Sequence, residues 1–176
     1  MISVALRTPT KAHEGDCLAF LEACKRTGSA MAGTAGLERM SYADWLTKIA
    51  KSQAGVNLPA DRVPATTFLG YHDAELVGII DIRHTLNAFL AHAGGHIGYM
   101  VHPDKRRLGF ASAMLHEALK YAYQTLKIER VLVTCSPDNL GSKRTILNNH
   151  GVYENTVEDA LLGTVERYWI DLKGRF

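Results

Sequence analysis

Cysteine is scarce in this chain, and what there is does not pair off. Cys17, Cys24 and Cys135 are the only three. An odd number without CxxC spacing argues against a disulfide framework and against a thiolate metal site. A dominant charge is missing too. Twenty Lys and Arg against 18 Asp and Glu leave a formal +2, too little to imply nucleic acid as a partner. No apolar run reaches membrane-spanning length, and no basic-then-apolar leader opens the chain. The expectation is a cytoplasmic protein with no metal, membrane or nucleic-acid partner. Repeats, low-complexity stretches and linkers are also absent. The 176 residues are therefore expected to form one domain, 1–176, with a real core.

What is present is a mixed pattern of helix and strand. Ile2–Leu6 alternates weakly and predicts a first strand. Cys17, Leu18, Leu21 and Cys24 recur at helical spacing within 14–26. Residues 28–36 are small and read as a loop. Ser41, with Asp44 three residues on, reads as an acidic capping box for a second helix. Trp45, Leu46, Ile49 and Ala50 are its expected buried stripe. Thr66–Tyr71 and Leu76–His84 flank a turn and read as a hairpin. His96–Val101 is a further strand, preceded by a helical turn within 86–95 that ends at Gly94 and Gly95. Ala111, Met114, Leu115, Ala118, Leu119, Ala122 and Leu126 mark an amphipathic helix. Val131–Cys135 is a short β-rich run, and Asn139 is a plausible cap for the helix after it, with Gly151 as its stop. Two strands, near 152–157 and 164–172, close a mixed α/β order.

The densest chemistry lies between Gly98 and Ser112, GYMVHPDKRRLGFAS. A strand ends near Pro103, a basic loop Lys105-Arg106-Arg107 follows, and Gly109 and Ala111 open a helix. Free N–H groups and the positive end of a helix dipole meet there, so the stretch predicts a phosphate site. Arg106 and Arg107 can add guanidinium contacts.

Element order and residues together resemble the GNAT superfamily of acyl-CoA-dependent N-acetyltransferases. The pyrophosphate loop of that family fits Arg106-Arg107-Leu108-Gly109-Phe110-Ala111, with Val101 and Pro103 just before it. Asn139 and Ser142 fit its second motif, and Arg167-Tyr168-Trp169-Ile170 look like the closing strands of a bacterial subgroup. The likeness covers residues 62–172 well. It implies an α/β fold with two splayed central strands flanked by helices, and acetyl-CoA as co-substrate. It also implies transfer to a small-molecule or peptide amine by direct attack, in a monomer or homodimer. The implied coenzyme contacts are Tyr99, Met100, Val101, the loop Arg106, Arg107, Leu108, Gly109, Phe110, Ala111 and Ser112, and Asn139 and Ser142. The Tyr99 backbone is placed to meet the thioester oxygen.

The other half of the reaction is less legible. His96, His84 and Asp81 are the candidates for the general base, with a histidine that structures the Gly94-Gly95 turn as the other reading of His96, and Arg83 and His84 end a strand that can line the acceptor site. The family's usual acidic tyrosine falls at Ile146 or Leu147, which is a departure from the pattern. That departure supports a second reading, a catalytically weak acyl-CoA-binding regulatory module. Tyr153 and Tyr168 are the remaining phenols that the fold can bring close. Cys135 is the one candidate for a covalent route and reads as core. Glu14, Asp16, Glu22, Glu38 and Asp44 are read mainly as solvated surface.

Overall fold

A computed structural model describes residues 2–176. Antiparallel pairing builds two sheets, and helices pack on them. Strands β1 (Ala5–Arg7), β2 (Ala65–His72), β3 (Glu75–Arg83) and β4 (Ile97–Val101) form the first, in chain order. Strands β5 (Arg130–Cys135), β6 (Val152–Asp159) and β7 (Gly163–Asp171) form the second, with β7 in the centre. Helices α1 (Glu14–Arg26) and α2 (Tyr42–Ala54) cover one face of the first sheet, around a core that includes Phe20, Trp45, Leu69 and Ile79. Helices α3 (Phe110–Gln124) and α4 (Leu140–Asn148) belong to the main core, which runs from Ile80 and Met114 to Val133 and Ile170 and joins both sheets.

Local chemistry explains most boundaries. The Ser41 hydroxyl accepts the Asp44 N–H at 3.1 Å and donates to the Asp44 carboxylate at 2.8 Å, so the predicted cap forms at α2. The buried stripe of α2 is Tyr42, Trp45 and Ile49, and Ala50 faces solvent instead. On α1, Leu18 is half exposed, and Phe20 joins Cys17, Leu21 and Cys24 inside. The first strand starts three residues later than predicted, at Ala5, because pairing with Leu69–Tyr71 fixes its register.

A slot in the sheet seats α3. Gly70 and Gly78 face each other across β2 and β3. A Cβ built on either would lie 2.9 or 2.6 Å from Met114 Sδ, so this long side chain fills the space the two glycines leave. The α4 terminus differs from the sequence expectation. His150, at φ 63, makes the left-handed turn expected of Gly151. Gly151 serves close packing, since a Cβ there would meet Ile146 Cγ2 at 2.3 Å. The helical turn before β4 is a π-helical turn over Leu90–Gly94, with Asn87 Oδ1 accepting the Leu90 N–H at its start.

Candidate active site

The two sheets meet where β4 lies beside β5, and the strands are not laddered together. Strand β4 pairs with β3, and β5 pairs with β7. Register assigns the free groups. Arg83 N–H donates to His96 O at 2.7 Å and His102 N–H to Val77 O at 2.8 Å, so the even residues of β4 bond to β3. Strand alternation then turns the N–H and C=O of Ile97, Tyr99 and Val101 away from β3, toward the gap. Met100 corrects an expectation here. Its polar backbone faces β3 and its side chain is buried in the α1/α2 core, so it offers nothing to a ligand in the gap.

His96 closes one end of that gap. Its backbone N–H donates to Leu132 O at 2.7 Å, and its Nδ1 accepts the Leu132 N–H at 2.9 Å. The ring is buried. Burial, with a smaller push from the Arg83 charge, lowers its pKa from 6.5 to about 4. The neutral ring has one lone pair, and Leu132 holds it. The expected base therefore lacks a free nitrogen for a substrate proton, and the residue clamps two strands instead.

Past Val101 the chain enters the basic loop. Arg107 at φ 64 and Gly109 at φ 89 are both left-handed, and the turn delivers the chain into α3 with Gly109 as its N-cap. The N–H groups of Phe110, Ala111 and Ser112 fall in the first helical turn, where the helix has no carbonyl to offer them. Phe110 points its ring into the core, so only its backbone belongs to the loop surface, while Leu108 is half exposed. Arg106 is tied inward: Nε donates to Val101 O at 3.4 Å and Nη2 to Ser29 Oγ at 2.8 Å. Arg106 and Arg107 are both exposed residues. Ser112 links helices, accepting Asn148 Nδ2 on its hydroxyl and Asn149 Nδ2 on its carbonyl.

The opposite wall comes from β5 and α4. Asn139 caps α4 through Oδ1, which accepts the Ser142 N–H at 3.0 Å, and this leaves its NH2 group to other partners. The Ser142 hydroxyl and the Tyr99 phenol are 2.9 Å apart, so β4 and α4 touch through two hydroxyls. Burial raises the Tyr99 pKa to about 12 and keeps the phenol protonated. The helix positions expected to carry an acid hold buried Ile146 and half-exposed Leu147. A phenol therefore stands near this wall after all, supplied by β4. The sequence hid it because strand alternation and a contact 43 residues away decide where that ring goes.

Cys135, at the end of β5, is buried, and its thiol is pushed up to about 11, mostly by burial and further by Glu166. Glu166 lies opposite it on β7, accepts the Tyr168 hydroxyl at 2.5 Å and pairs with Lys143 at 3.1 Å. The Tyr168 bond, ahead of Lys143, holds the Glu166 carboxyl below its usual range. Tyr153 is exposed and bonded to Thr156.

On the α1/α2 side of β4 the main group is Asp81. It shares a register position with Gly98, one residue from Tyr99. It is buried, accepts the Thr67 hydroxyl at 2.8 Å and pairs with Arg83 at 3.2 Å. Burial outweighs the Arg83 charge and raises its pKa. His84 faces the other way, bonded to Thr66 Oγ1, which lies 3.3 Å from the Tyr121 hydroxyl of α3. Arg83 and His84 thus serve opposite faces of the sheet. An open cleft of about 490 Å³ at Arg130, Trp169 and Asp171 sits at the other end of β5 from Cys135.

Residues 4–151 match the family model described as an acetyltransferase (GNAT) domain. The chain belongs to the GNAT acetyltransferase family. A curated relative, the uncharacterised N-acetyltransferase YnaD of Bacillus subtilis (strain 168), is 30% identical over 61 residues. That match spans 33% of this chain and 36% of the relative. Solved structures extend the likeness in fold. A ribosomal L7/L12 α-N-protein acetyltransferase, RimL, in complex with coenzyme A joined to one of its own cysteines by a disulfide, superposes with TM-score 0.71 at 17% identity, covering 98% of this chain and 96% of that one. Mycobacterium smegmatis RimJ with a coenzyme A disulfide gives 0.67 at 20%, over 98% and 83%. A spermidine N-acetyltransferase chimera from Vibrio cholerae SpeG and hSSAT gives 0.66 at 13%, over 97% and 96%. The expected fold class, a mixed α/β GNAT fold, is the observed one. Among the described residues no helix is long and apolar enough to cross a membrane, and no cluster of His, Cys, Asp or Glu is arranged to hold a metal.

Proposed function

We propose that this protein transfers the acetyl group of acetyl-CoA to a primary amine by direct attack within a ternary complex. The observation that carries this reading is the gap between β4 and β5. One edge of it offers unladdered strand backbone at Tyr99 and Val101, and β4 leads directly into the N–H-rich turn at Arg107–Ser112.

In this reading the pyrophosphate sits on the N–H groups from Arg107 to Ser112, with Arg107 adding charge. The pantetheine arm lies along Tyr99–Val101 like an added strand and takes a further bond from the Asn139 side-chain amide. The thioester oxygen meets the Tyr99 N–H, which gains strength as negative charge develops there. Asp81 receives the amine proton from the α1/α2 side, where burial makes its carboxylate more basic than usual. The Tyr99–Ser142 hydroxyl pair returns a proton to the departing thiolate.

Cys135 is a poor candidate for an acyl-enzyme. With its thiol at about 11, the nucleophilic thiolate is rare at neutral pH. An acetylated Cys135 trapped by mass spectrometry would contradict the direct route.

One observation favours the alternative of an acyl-CoA-binding regulatory module. The helix positions that carry an acid in the family hold Ile146 and Leu147. Thermal-shift titration with CoA and acetyl-CoA, followed by an amine panel read by free thiol, separates the two. Transfer requires amine-dependent thiol release, whereas the module requires binding without it.

A further inference from the structure

Asp81 is gripped at both carboxylate oxygens. The Thr67 hydroxyl donates to Oδ1 at 2.8 Å, and Arg83 Nε lies 3.2 Å from Oδ2. Thr67 and Asp81 are register partners on β2 and β3, so their side chains share one face of the sheet. Leu69, Tyr71 and Ile79 continue that face into the α1/α2 core. Thr67 is 5% exposed and Asp81 6%. A hydroxyl and a carboxylate withdrawn this far from water need partners inside the protein. Among the described residues the Thr67 hydroxyl has no hydrogen-bond partner besides Asp81.

The two grips do different things. Arg83 supplies charge, and weaker charge reaches Asp81 from Lys48 on α2 and from His84. Strand β4 opposes Asp81 with Gly98, which has no side chain. Thr67 supplies direction. Its χ1 is restricted by β-branching, and its one proton, donated to Oδ1, favours the ionised carboxylate. With one site taken on each oxygen, the remaining lone pairs are left to receive a proton. Thr67 also lines a cleft of about 140 Å³ between α2 and residues 8–9, with exposed Thr8, Ala50 and Gln53 around it. One side chain thus touches both Asp81 and a space large enough for water.

We infer that Thr67 is a positioning residue for acetyl transfer, whose hydroxyl holds the Asp81 carboxylate ionised and oriented to take the proton of the acceptor amine. The inference rests on the acetyl-transfer reading above, with Asp81 as its base. Thr67 acts only through Asp81. Valine at this position keeps the shape and the burial and loses the donor. Oδ1 then holds a proton more tightly, and the carboxylate needs a higher pH to ionise. Alanine removes the γ atoms as well and opens Oδ1 to water from the cleft, which restores part of the lost bond. Serine keeps the hydroxyl.

The test measures kcat/KM against pH for the wild type, Thr67→Val, Thr67→Ala and Thr67→Ser, with glycinamide and ethylamine as acceptors. The ionisation of the amine is common to all four proteins and cancels in the ratio to wild type. Thr67→Val should move the limb of Asp81 up by about one pH unit, a loss of about tenfold below the limb. Thr67→Ala should move it less, and Thr67→Ser should leave it in place. Calorimetric CoA affinity should hold throughout. A carboxyl-carbon NMR titration of Asp81 reads the same shift without an acceptor. A wild-type limb in folded Thr67→Val would overturn the inference, because a merely structural threonine changes stability and leaves the limb alone. Equal displacement by valine and serine would do the same, since the hydroxyl would not be the cause. If Thr67→Val does not fold, Thr67→Ala against Thr67→Ser decides: a higher limb in alanine supports the inference, and equal limbs overturn it. A limb retained in Asp81→Asn, or no thiol release from either amine with CoA bound, would fall on the underlying reading and remove the basis of the inference.

Discussion

His96 and Leu132 exchange two hydrogen bonds, one from backbone to backbone and one from backbone to ring. These bonds tie the start of β4 to β5, two residues before Gly98. A residue with the typical pKa range of a general base therefore acts as a clamp. The reason is visible only in three dimensions, because the second partner lies 36 residues further along the chain.

The clamp makes stability depend on pH. Folded His96 has a pKa lowered from 6.5 to about 4. Below 6.5 the unfolded chain binds a proton that the folded chain refuses, so stability falls as pH drops from 6.5 toward 4, and the full contribution is present above 6.5. At 1.36 kcal/mol per pKa unit the loss approaches about 3 kcal/mol. His96→Asn keeps an acceptor near the Nδ1 position without a titrating group. Denaturant midpoints measured at pH 7 and pH 4.5 should lie closer together in that variant than in the wild type. An identical pH slope would exclude His96 as its source.

Asp81 is expected to behave as the base, and its pH limb appears in activity rather than in stability. Activity requires the ionised carboxylate, so log kcat/KM should rise with pH through an apparent pKa above the ordinary carboxylate range. Asp81→Asn keeps a partner for Thr67 and should lower kcat by about 10²–10⁴-fold and abolish that limb. CoA affinity measured by calorimetry should not change. A variant that retains the wild-type rate and profile would return the role of base to another group.

Tyr99→Phe removes the phenol and preserves the ring and the backbone N–H. Coenzyme A thiolate is a tolerable leaving group, so a loss of about 10²-fold in kcat is expected, at the low end for acid catalysis. Ser142→Ala should act in the same direction. The double variant should cost little more than either single one, because the hydroxyls work as a pair. Additive losses in steady-state kinetics would separate their roles.

Much of this fold is legible in the sequence where the signals are local. Helix α1 runs over the predicted residues 14–26, Ser41 caps α2, and Asn139 caps α4. The turn that opens α3 at Gly109 is readable because a glycine and small residues stand just before an amphipathic run. What escapes depends on contacts between distant segments. Met100 reads like its neighbours until the β3 register assigns its backbone to the ladder. Gly33 sits in an unremarkable small-residue loop until Gly98 is placed beneath it. The Tyr99 hydroxyl has no local signature, and its place beside Ser142 follows from packing of β4 against α4.

The central claim is that coenzyme A binds on the turn that opens α3, and Gly109→Glu tests it most directly. Gly109 has φ 89, and the one neighbour a Cβ would meet is Ile2 Cδ1 at 3.3 Å. The substitution places bulk and negative charge among the N–H groups proposed for the pyrophosphate. Calorimetric titration with acetyl-CoA should give saturable binding to the wild-type protein. It should give none to the variant, whose far-UV circular dichroism should remain native. Equal affinity in the two folded proteins would contradict the account, because a coenzyme indifferent to that charge does not sit on that turn.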